Sequence, residues 1–272
     1  MFEKLMNIDR RIIFILVALV VIIPMLFTFS IPLNVSEPTQ KLYDYIEGLP
    51  AGATIMISFD YGPSSFPETE PMAAAVMKHC FDKGIQVIGI TLEYIDAVPL
   101  ADRVMQQVAE EKDAVYGEDY VLLGYRPGES FVILGMGAEI ASVFDSDFSE
   151  TPIGEIPMMQ NITNYDQVSL LLNLAAGSSV EGWITYGHTK FNLKIAAGVT
   201  GVIVSQMYPY LQTGQLVGLL AGFRGAGEYE KLINAPGEGT KGINTASFVH
   251  LLIIGLVVIG NIAFFVQRRR EE

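Results

Sequence analysis

Residues 53–61 read ATIMISFDY, a short apolar run rich in β-branched side chains with turn residues on both sides. Such a run is typical of a buried β-strand. Met72, Val76 and Cys80 follow at a spacing of four, which places them on one face of a helix and Cys80 in the core. A second apolar run, IQVIGITL, occupies residues 85–92. Strand, helix and strand in this order predict a parallel sheet with right-handed crossovers.

The alternation of strands and helices continues through the central region. Further predicted elements are strands at 120–125, 168–174 and 193–199, helices at 179–189 and 209–233, and a helix marked by Leu100, Val104, Val108 and Val115. The pattern of residues 131–144 fits helix or strand, and we favour helix because it restores the alternation. Residues 145–166 are too long for a plain connection, so we expect this loop to cover or bind something. The simplest assembly is an α/β fold with a five-stranded parallel, doubly wound sheet, flavodoxin-like or Rossmann-like.

The composition indicates a membrane protein. Half of the 272 residues are hydrophobic, only 17% are charged, and the mean hydropathy is +0.37. Residues 12–33 and 246–266 carry no charge and are long enough to cross a bilayer, and arginines flank both segments on their outer sides. The positive-inside tendency assigns residues 1–11 and 267–272 to the cytoplasm. The sequence predicts a two-pass inner (plasma) membrane protein whose main domain, residues 34–241, is extracytoplasmic.

A third charge-free stretch, residues 195–223, has to be distinguished from a span. It contains a proline and three glutamines, and a third crossing would move the arginine-rich tail outside, against the positive-inside tendency. We therefore interpret it as buried structure within the domain.

Charge and cysteine content exclude several classes of function. The formal net charge is −13, which argues against nucleic acid as a partner because phosphate binding needs a basic surface. One cysteine rules out an internal disulfide, and three histidines without paired cysteines show no zinc-binding spacing. The chain has neither G-x-G-x-x-G after the first strand nor a P-loop motif. We therefore expect no cofactor and no metal.

Candidate ligand-binding residues lie where the predicted strands end, because ligands of open α/β sheets bind at that edge. These candidates are Asp60, Ser64, Ser65, Glu68, Glu93, Ser178 and Ser179. Asp60 is the strongest candidate, since a carboxylate at the end of a buried strand can bind a cation or a hydroxyl. The alternative is that Asp60 caps its own turn. The helix start at 178–179 offers backbone N–H groups to an anion, and no Ser-His-Asp arrangement is indicated.

Glycines recur in the last predicted helix, at Gly214, Gly218, Gly222 and Gly225. Each costs about 1 kcal/mol relative to alanine inside a helix, so close packing must offset the loss. The backbone that packs there belongs either to the protein's own sheet or to a neighbouring subunit.

Two stretches carry a resemblance to known proteins. YGEDYVLLGY (116–125) and PYLQTGQLVGLLAGFRGAGEYEKL (209–232), together with the flanking spans, are similar to a group of prokaryotic two-span membrane proteins with no assigned activity. The resemblance implies a prokaryotic inner-membrane setting and no catalytic residue.

Two functions are compatible with these features. The first is a non-enzymatic subunit whose domain binds a partner or small ligand, through self-association or contact with other subunits of a membrane assembly. The second is a membrane-bound hydrolase that uses Asp60 with Glu68 or Glu93, with or without a metal.

Overall fold

The computed structural model describes residues 9–26 and 32–271. Contacts within the chain divide it into two compact units. One unit is Asn34–Gly239, and the other comprises the terminal segments Met1–Leu33 and Thr240–Glu272.

The unit Asn34–Gly239 contains a six-stranded sheet in the order β3-β2-β1-β4-β5-β6, and every pair is parallel. The strands are β1 Thr54–Asp60, β2 Gln86–Thr91, β3 Tyr120–Tyr125, β4 Leu170–Ala175, β5 Ile195–Val199 and β6 Leu219–Ala221. The prediction of an α/β fold with a parallel sheet is confirmed, and the five predicted strands are present. The direction of winding reverses between β1 and β4, which makes the carboxyl ends of these strands the topological switch point of the sheet.

The helices of the described residues are α1 Arg10–Leu26, α2 Glu37–Glu47, α3 Phe66–Asp82, α4 Ala97–Lys112, α5 Glu129–Ala138, α6 Ser179–Gly182, α7 Thr189–Phe191, α8 Val204–Gln212, α9 Gly222–Leu232 and α10 Glu238–Glu271, with one π-helical turn, Trp183–His188, between α6 and α7. Helices of the unit Asn34–Gly239 cover both faces of the sheet. Side chains of α2, α3, α4 and α9 form the core on one face, and those of α5, α6 and α8 form the core on the other. The doubly wound arrangement follows from strands that are apolar on both sides.

The long connection after β3 is part of the second core. Residues 131–144 are largely helical, as α5 and a 3-10 turn at Ile140–Ser142. The following segment, residues 145–166, forms short 3-10 helices that bury Ile153, Met158 and Tyr165 against the sheet. The segment was expected to cover or bind something, and in the structure it covers one face of the sheet.

The prediction of one helix over residues 209–233 is wrong. Helix α8 ends at Gln212, β6 follows, and α9 begins at Gly222. Gly214 and Gly222 both have positive φ, at 74° and 56°, and so break the helical path on either side of the strand. The interpretation of residues 195–223 as buried structure within the domain is confirmed, since β5 and β6 both lie in the sheet.

The glycines therefore do not form a stripe on one helix. Gly218 lies against Leu42 of α2, and a Cβ added there would also approach the carbonyl oxygen of Pro38 to 2.9 Å. Gly225 packs on the backbone of Leu220, and Gly222 lies next to Gly201. The backbone that approaches these three glycines belongs to the protein itself. Gly214 has open space around its Cα within the part of the chain that the structure describes.

The first residues of the compact unit run along α9. The buried carboxylate of Glu228 accepts hydrogen bonds from the backbone N–H and the hydroxyl of Ser36. Two residues earlier, the carbonyl of Asn34 accepts a hydrogen bond from Arg224, in the first turn of α9. Traced backwards from Ser36, the chain moves toward the start of α9, which directly follows the carboxyl end of β6.

The last residues of the compact unit follow the same helix in the same direction. Glu230 is 4% exposed and accepts hydrogen bonds from the N–H groups of Gly237 and Gly239, each at 2.8 Å. A Cβ on Gly239 would lie 2.6 Å from that of Ala226, one turn closer to the start of α9. Both ends of the compact unit therefore leave it toward the carboxyl edge of the sheet.

The terminal unit contains α1 and most of α10. Within α10, Glu238–Val266 is long and apolar enough to cross a membrane, and it is the one such helix among residues 9–26 and 32–271. Helix α1 covers residues 12–26 of the span predicted at 12–33, and residues 27–31 of that prediction lie outside the described residues.

Candidate functional site

Asp60 ends β1 at the switch point, and its side chain is completely buried. Its Oδ1 accepts hydrogen bonds from the backbone N–H groups of Leu92 and Glu93, at 2.7 and 3.1 Å. Its Oδ2 accepts from the Ser58 hydroxyl and from the Asn173 side-chain amide, both at 2.6 Å. These donors come from β1 itself, β4 and the turn after β2. Asp60 thus joins three strands rather than capping its own turn.

Asn173 connects Asp60 to the helix after β4 by hydrogen bonds. Its Oδ1 accepts a hydrogen bond of 3.0 Å from the hydroxyl of Ser179, the first residue of α6. Asn173 and Ser179 are 0% and 1% exposed. The two strand ends and the helix start are therefore held together by buried polar contacts, in a layer where an unpaired polar group would be costly.

Three glutamates extend the cluster outward from Asp60. The carboxylate of Glu93 lies against Gly177, and that of Glu129 lies against Gly182, so that a Cβ on either glycine would overlap a carboxylate oxygen. Glu181 directly precedes Gly182 in α6. Burial is the main cause of the raised pKa of Glu93 and of Glu129, and the negative charge of Glu181 adds to it in both. The loops after β2, β3 and β4 consequently bring acidic groups to one point of the sheet edge. We call Asp60, Glu93, Glu129 and Glu181 the carboxylate cluster.

The electrostatics of the cluster follow from burial and like charge. Burial raises the pKa of Glu93 to about 7, and the negative charges of Asp60, Glu129 and Glu181 add to this effect, while a hydrogen bond with Tyr94 opposes it. Burial, with the charges of Asp60 and Glu181, also raises the pKa of Glu129. For Asp60, burial raises the pKa, and the four donated hydrogen bonds oppose the rise because they stabilise the carboxylate. Glu93 can therefore exchange a proton near neutral pH.

Several oxygens of the cluster lack partners. Oε2 of Glu93, Oε1 of Glu129 and Oε2 of Glu181 are buried and make no hydrogen bond within the described part of the chain. Buried acceptors of this kind are usually satisfied, so their accumulation at one edge favours a ligand that donates hydrogen bonds. Among the described residues, no group of three or more His, Cys, Asp or Glu side chains is placed to hold a metal ion.

The remaining sequence candidates are distributed along the same edge. Ser64 and Ser178 are exposed, and the hydroxyl of Ser65 donates to the carbonyl of Gly62 at 3.2 Å. Glu68 accepts a 2.8 Å hydrogen bond from the backbone N–H of Gly201, after β5. The structure thus joins Asp60, Glu93 and Ser179 by contacts, whereas Ser65 and Glu68 have other partners.

The proposal that backbone N–H groups at residues 178–179 hold an anion is not supported by the surrounding charge. The carboxylate of Glu93 packs against Gly177 at the start of this helix. Helix α6 also has only four residues before its π-helical turn. A negatively charged ligand would meet like charge here.

Sequence reasoning missed Ser58, Asn173, Glu129 and Glu181. Asn173 interrupts the apolar run LLLNLA, and a buried amide in such a run needs partners, which was the available signal. Ser58 lies two residues before Asp60 and so on the same side of β1. Glu129 and Glu181 are acidic residues in the first turns of helices, where they are too common to indicate a site.

A separate depression of about 580 Å³ lies at the opposite edge of the sheet. It is lined by Thr54 and Gln86 at the starts of β1 and β2, and by Glu118 and the 157–167 segment. Two of its polar side chains already have partners there, since Thr54 donates to Gln86 and Gln86 donates to the carbonyl of Glu118 at 2.7 Å. The carboxyl edge is therefore the better candidate for a ligand site.

Fold and site define an α/β protein with a Rossmann-type strand order and an acidic cluster at its switch point. Comparison with protein-family models, curated proteins and solved structures finds no significant match.

Proposed function

We propose that this chain is a membrane-anchored subunit whose α/β domain binds a small ligand bearing a positive charge or several hydrogen-bond donors at the carboxylate cluster. The observation that supports this most directly is the group of buried, unpartnered oxygens on Glu93, Glu129 and Glu181. An ammonium group donates three hydrogen bonds and compensates the like charge of the cluster. A hydroxyl-rich ligand would supply donors without the charge.

The membrane setting of the proposal rests on three features. Glu238–Val266 has the length and composition of a span, arginines lie at both ends of the chain, and both ends of the compact unit leave it in one direction along α9. We propose two spans, at 12–33 and 246–266, with the tails in the cytoplasm of a prokaryotic cell and the domain outside. This architecture agrees with the resemblance to prokaryotic two-span membrane proteins. Other subunits of a membrane assembly, or further copies of the chain, are the proposed partners.

Ligand chemistry can be tested by thermal unfolding of the detergent-solubilised protein with the diamine putrescine, and with glycerol as an uncharged multi-donor probe. We expect putrescine to raise the melting temperature at pH 8 and to act less at pH 5.5, where Glu93 is protonated. Glu129→Gln should weaken the effect, whereas Glu110→Gln, a change of an exposed glutamate on α4, should not. A melting temperature that neither probe changes at any pH would refute the proposed ligand site.

Topology can be tested by labelling cysteines from outside intact cells. Residue Ser149 is exposed in the long connection, and a cysteine there should react with a membrane-impermeant maleimide. A cysteine introduced at position 271 should react only after the cells are opened. The reverse pattern, or labelling at both positions, would refute the two-span arrangement.

An enzymatic function is a second candidate, and the pKa of Glu93 favours it. A carboxyl group with a pKa of about 7 is suited to general acid–base catalysis at neutral pH. Asp60 and Glu93 would form the reactive pair of a hydrolase, with Asp60 fixed by four donors and Glu93 exchanging the proton. Glu68, which bonds after β5, is not part of this pair. Hydrolysis of a set of neutral and cationic ester substrates, abolished by Glu93→Gln and retained by Glu68→Gln, would support this candidate.

A further inference from the structure

Three large apolar side chains project into solvent at the carboxyl edge of the sheet. Ile95, Phe131 and Val202 are 65%, 83% and 85% exposed. They lie on the connections after β2, β3 and β5, and we call them the apolar rim. Four strand intervals separate β3 from β5, so the rim extends over about 19 Å at about 4.8 Å per interval.

Single exposed apolar side chains are ordinary, but their recurrence on three separate connections at one edge is not explained by the fold. None of the three is needed to fill the core, because the side chains are mostly outside it. Clusters of this kind mark surfaces that contact other proteins or lipid.

The direction in which the chain leaves the compact unit favours lipid over another protein as the contact of the rim. Asn34 bonds to Arg224 and Gly239 packs on Ala226, so both ends of the compact unit leave it toward the edge that carries the rim. After Gly239 the chain continues in the helix Glu238–Val266, whose composition suits a bilayer. The net charge of −13 disfavours an anionic surface and leaves zwitterionic lipid as the matching one.

We propose that the apolar rim of Ile95, Phe131 and Val202 rests in the interface of a zwitterionic lipid membrane. This inference depends on the membrane anchoring of the proposed function, and it is independent of any ligand at the carboxylate cluster. Apolar side chains at this depth gain free energy from leaving water while the polar groups around them stay hydrated.

The test places a fluorescent label on the rim of the full-length protein. Phe131→Cys and Val202→Cys provide the labelling sites, and Val115→Cys serves as the matched control. Val115 is 49% exposed and precedes β3, at the opposite edge of the sheet. Native Cys80 is fully buried, so unsubstituted protein gives the background of labelling. The labelled proteins are reconstituted in phosphatidylcholine vesicles that contain lipid brominated near the headgroup, which quenches the label on contact.

We expect several-fold stronger quenching at positions 131 and 202 than at position 115. Equal quenching at all three positions would overturn the proposal. Emission changes at 131 and 202 that depend on protein density rather than on brominated lipid would overturn it in favour of a second copy. Vesicle flotation tests membrane anchoring separately from the lipid contact of the apolar rim. Protein that fails to float with vesicles contradicts the anchoring, whereas protein that floats without quenching at the rim contradicts only the lipid contact.

Discussion

Glu93→Gln tests whether burial and like charge raise the pKa of Glu93 in the folded protein. The substitution keeps the size of the side chain and removes its charge at every pH. In the wild type, folding must hold an ionised Glu93 beside Asp60, Glu129 and Glu181 whenever the pH exceeds about 7. The glutamine variant avoids this repulsion, and its amide can donate to the neighbouring carboxylates.

The direction in which Glu93→Gln changes the stability follows from proton linkage. Because the folded pKa of Glu93 is above its ordinary value of 4.5, the folded state binds more protons than the unfolded state between pH 4.5 and about 7. The contribution of Glu93 to stability is therefore fully present below pH 4.5, declines across this window, and stays low above it. The variant lacks this decline, so it should exceed the wild type in stability only at the higher pH.

The size of the expected difference in free energy of unfolding follows from the same pKa. The difference between pKa 4.5 and about 7 corresponds to about 3.5 kcal/mol at most, at about 1.4 kcal/mol per pKa unit. Glu93 keeps partial access to water, which screens the charges, so we expect about half of this, or about 1.7 kcal/mol. In a domain of this size that corresponds to a change in melting temperature of about 3–7 °C.

The assay uses the one tryptophan of the chain as its reporter. Trp183 is completely buried in the core on the side of α5, so its fluorescence follows unfolding of the domain. Melting curves in non-ionic detergent at pH 4.5 and pH 8 should show equal stability of variant and wild type at the lower pH and a more stable variant at the higher pH. Glu110→Gln controls for the loss of an exposed charge. The same offset between Glu93→Gln and wild type at both pH values would refute the reasoning.

Three further substitutions test the packing around the site and the chain ends. Gly182→Ala should displace the Glu129 carboxylate and abolish the response to putrescine, while the melting temperature stays equal or rises, because alanine is favoured over glycine in a helix by about 1 kcal/mol. Gly218→Leu should destabilise the domain by about 3 kcal/mol or more in thermal unfolding, because the new side chain would collide with the backbone of α2. A folded variant that only loses self-association in gel filtration would instead assign Gly218 to a subunit interface. Glu228→Gln should cost about 1–3 kcal/mol and make the chain near Ser36 more sensitive to limited proteolysis, because it weakens charge-assisted hydrogen bonds; unchanged cleavage would show that Glu228 does not hold this segment.

The parallel sheet could be predicted because each strand carries its own signal. Residues 53–61 and 85–92 are compact apolar runs with turn residues on both sides, and such runs mark buried strands without any knowledge of tertiary contacts. β6 gave no comparable signal, since it has three residues inside the charge-free stretch 195–223. Its strand conformation depends on pairing with β5 and on the positive φ of Gly222, and neither is visible in local periodicity.

Residues of the site were predictable where they lie at or near the end of a strand. Asp60 is the last residue of β1 and Glu93 lies two residues after β2, and the topology of any parallel sheet brings them to one edge. Glu129 and Glu181 reach the cluster because α5 and α6 pack on the same face of the sheet. The packing of these two helices brings together Glu129 and Glu181, which are 52 positions apart in sequence. The first turns of the two helices have no sequence feature that indicates a site. Whether acidic residues in such turns converge is a property of the tertiary structure alone.

Asp60 is the one carboxylate of the cluster whose burial is offset by a full set of hydrogen bonds within the described residues. An ionised group at full burial costs several kcal/mol, and the four hydrogen bonds that Asp60 accepts contribute about 1.5–3 kcal/mol each. Because two of these donors are the backbone N–H groups of Leu92 and Glu93, the contacts that offset the burial of Asp60 also fix the Glu93 backbone next to its charge. The group that stabilises the junction of β1, β2 and β4 is thus the same group whose charge contributes to the raised pKa of Glu93. In this arrangement the fold and the proton affinity of the site depend on one buried carboxylate.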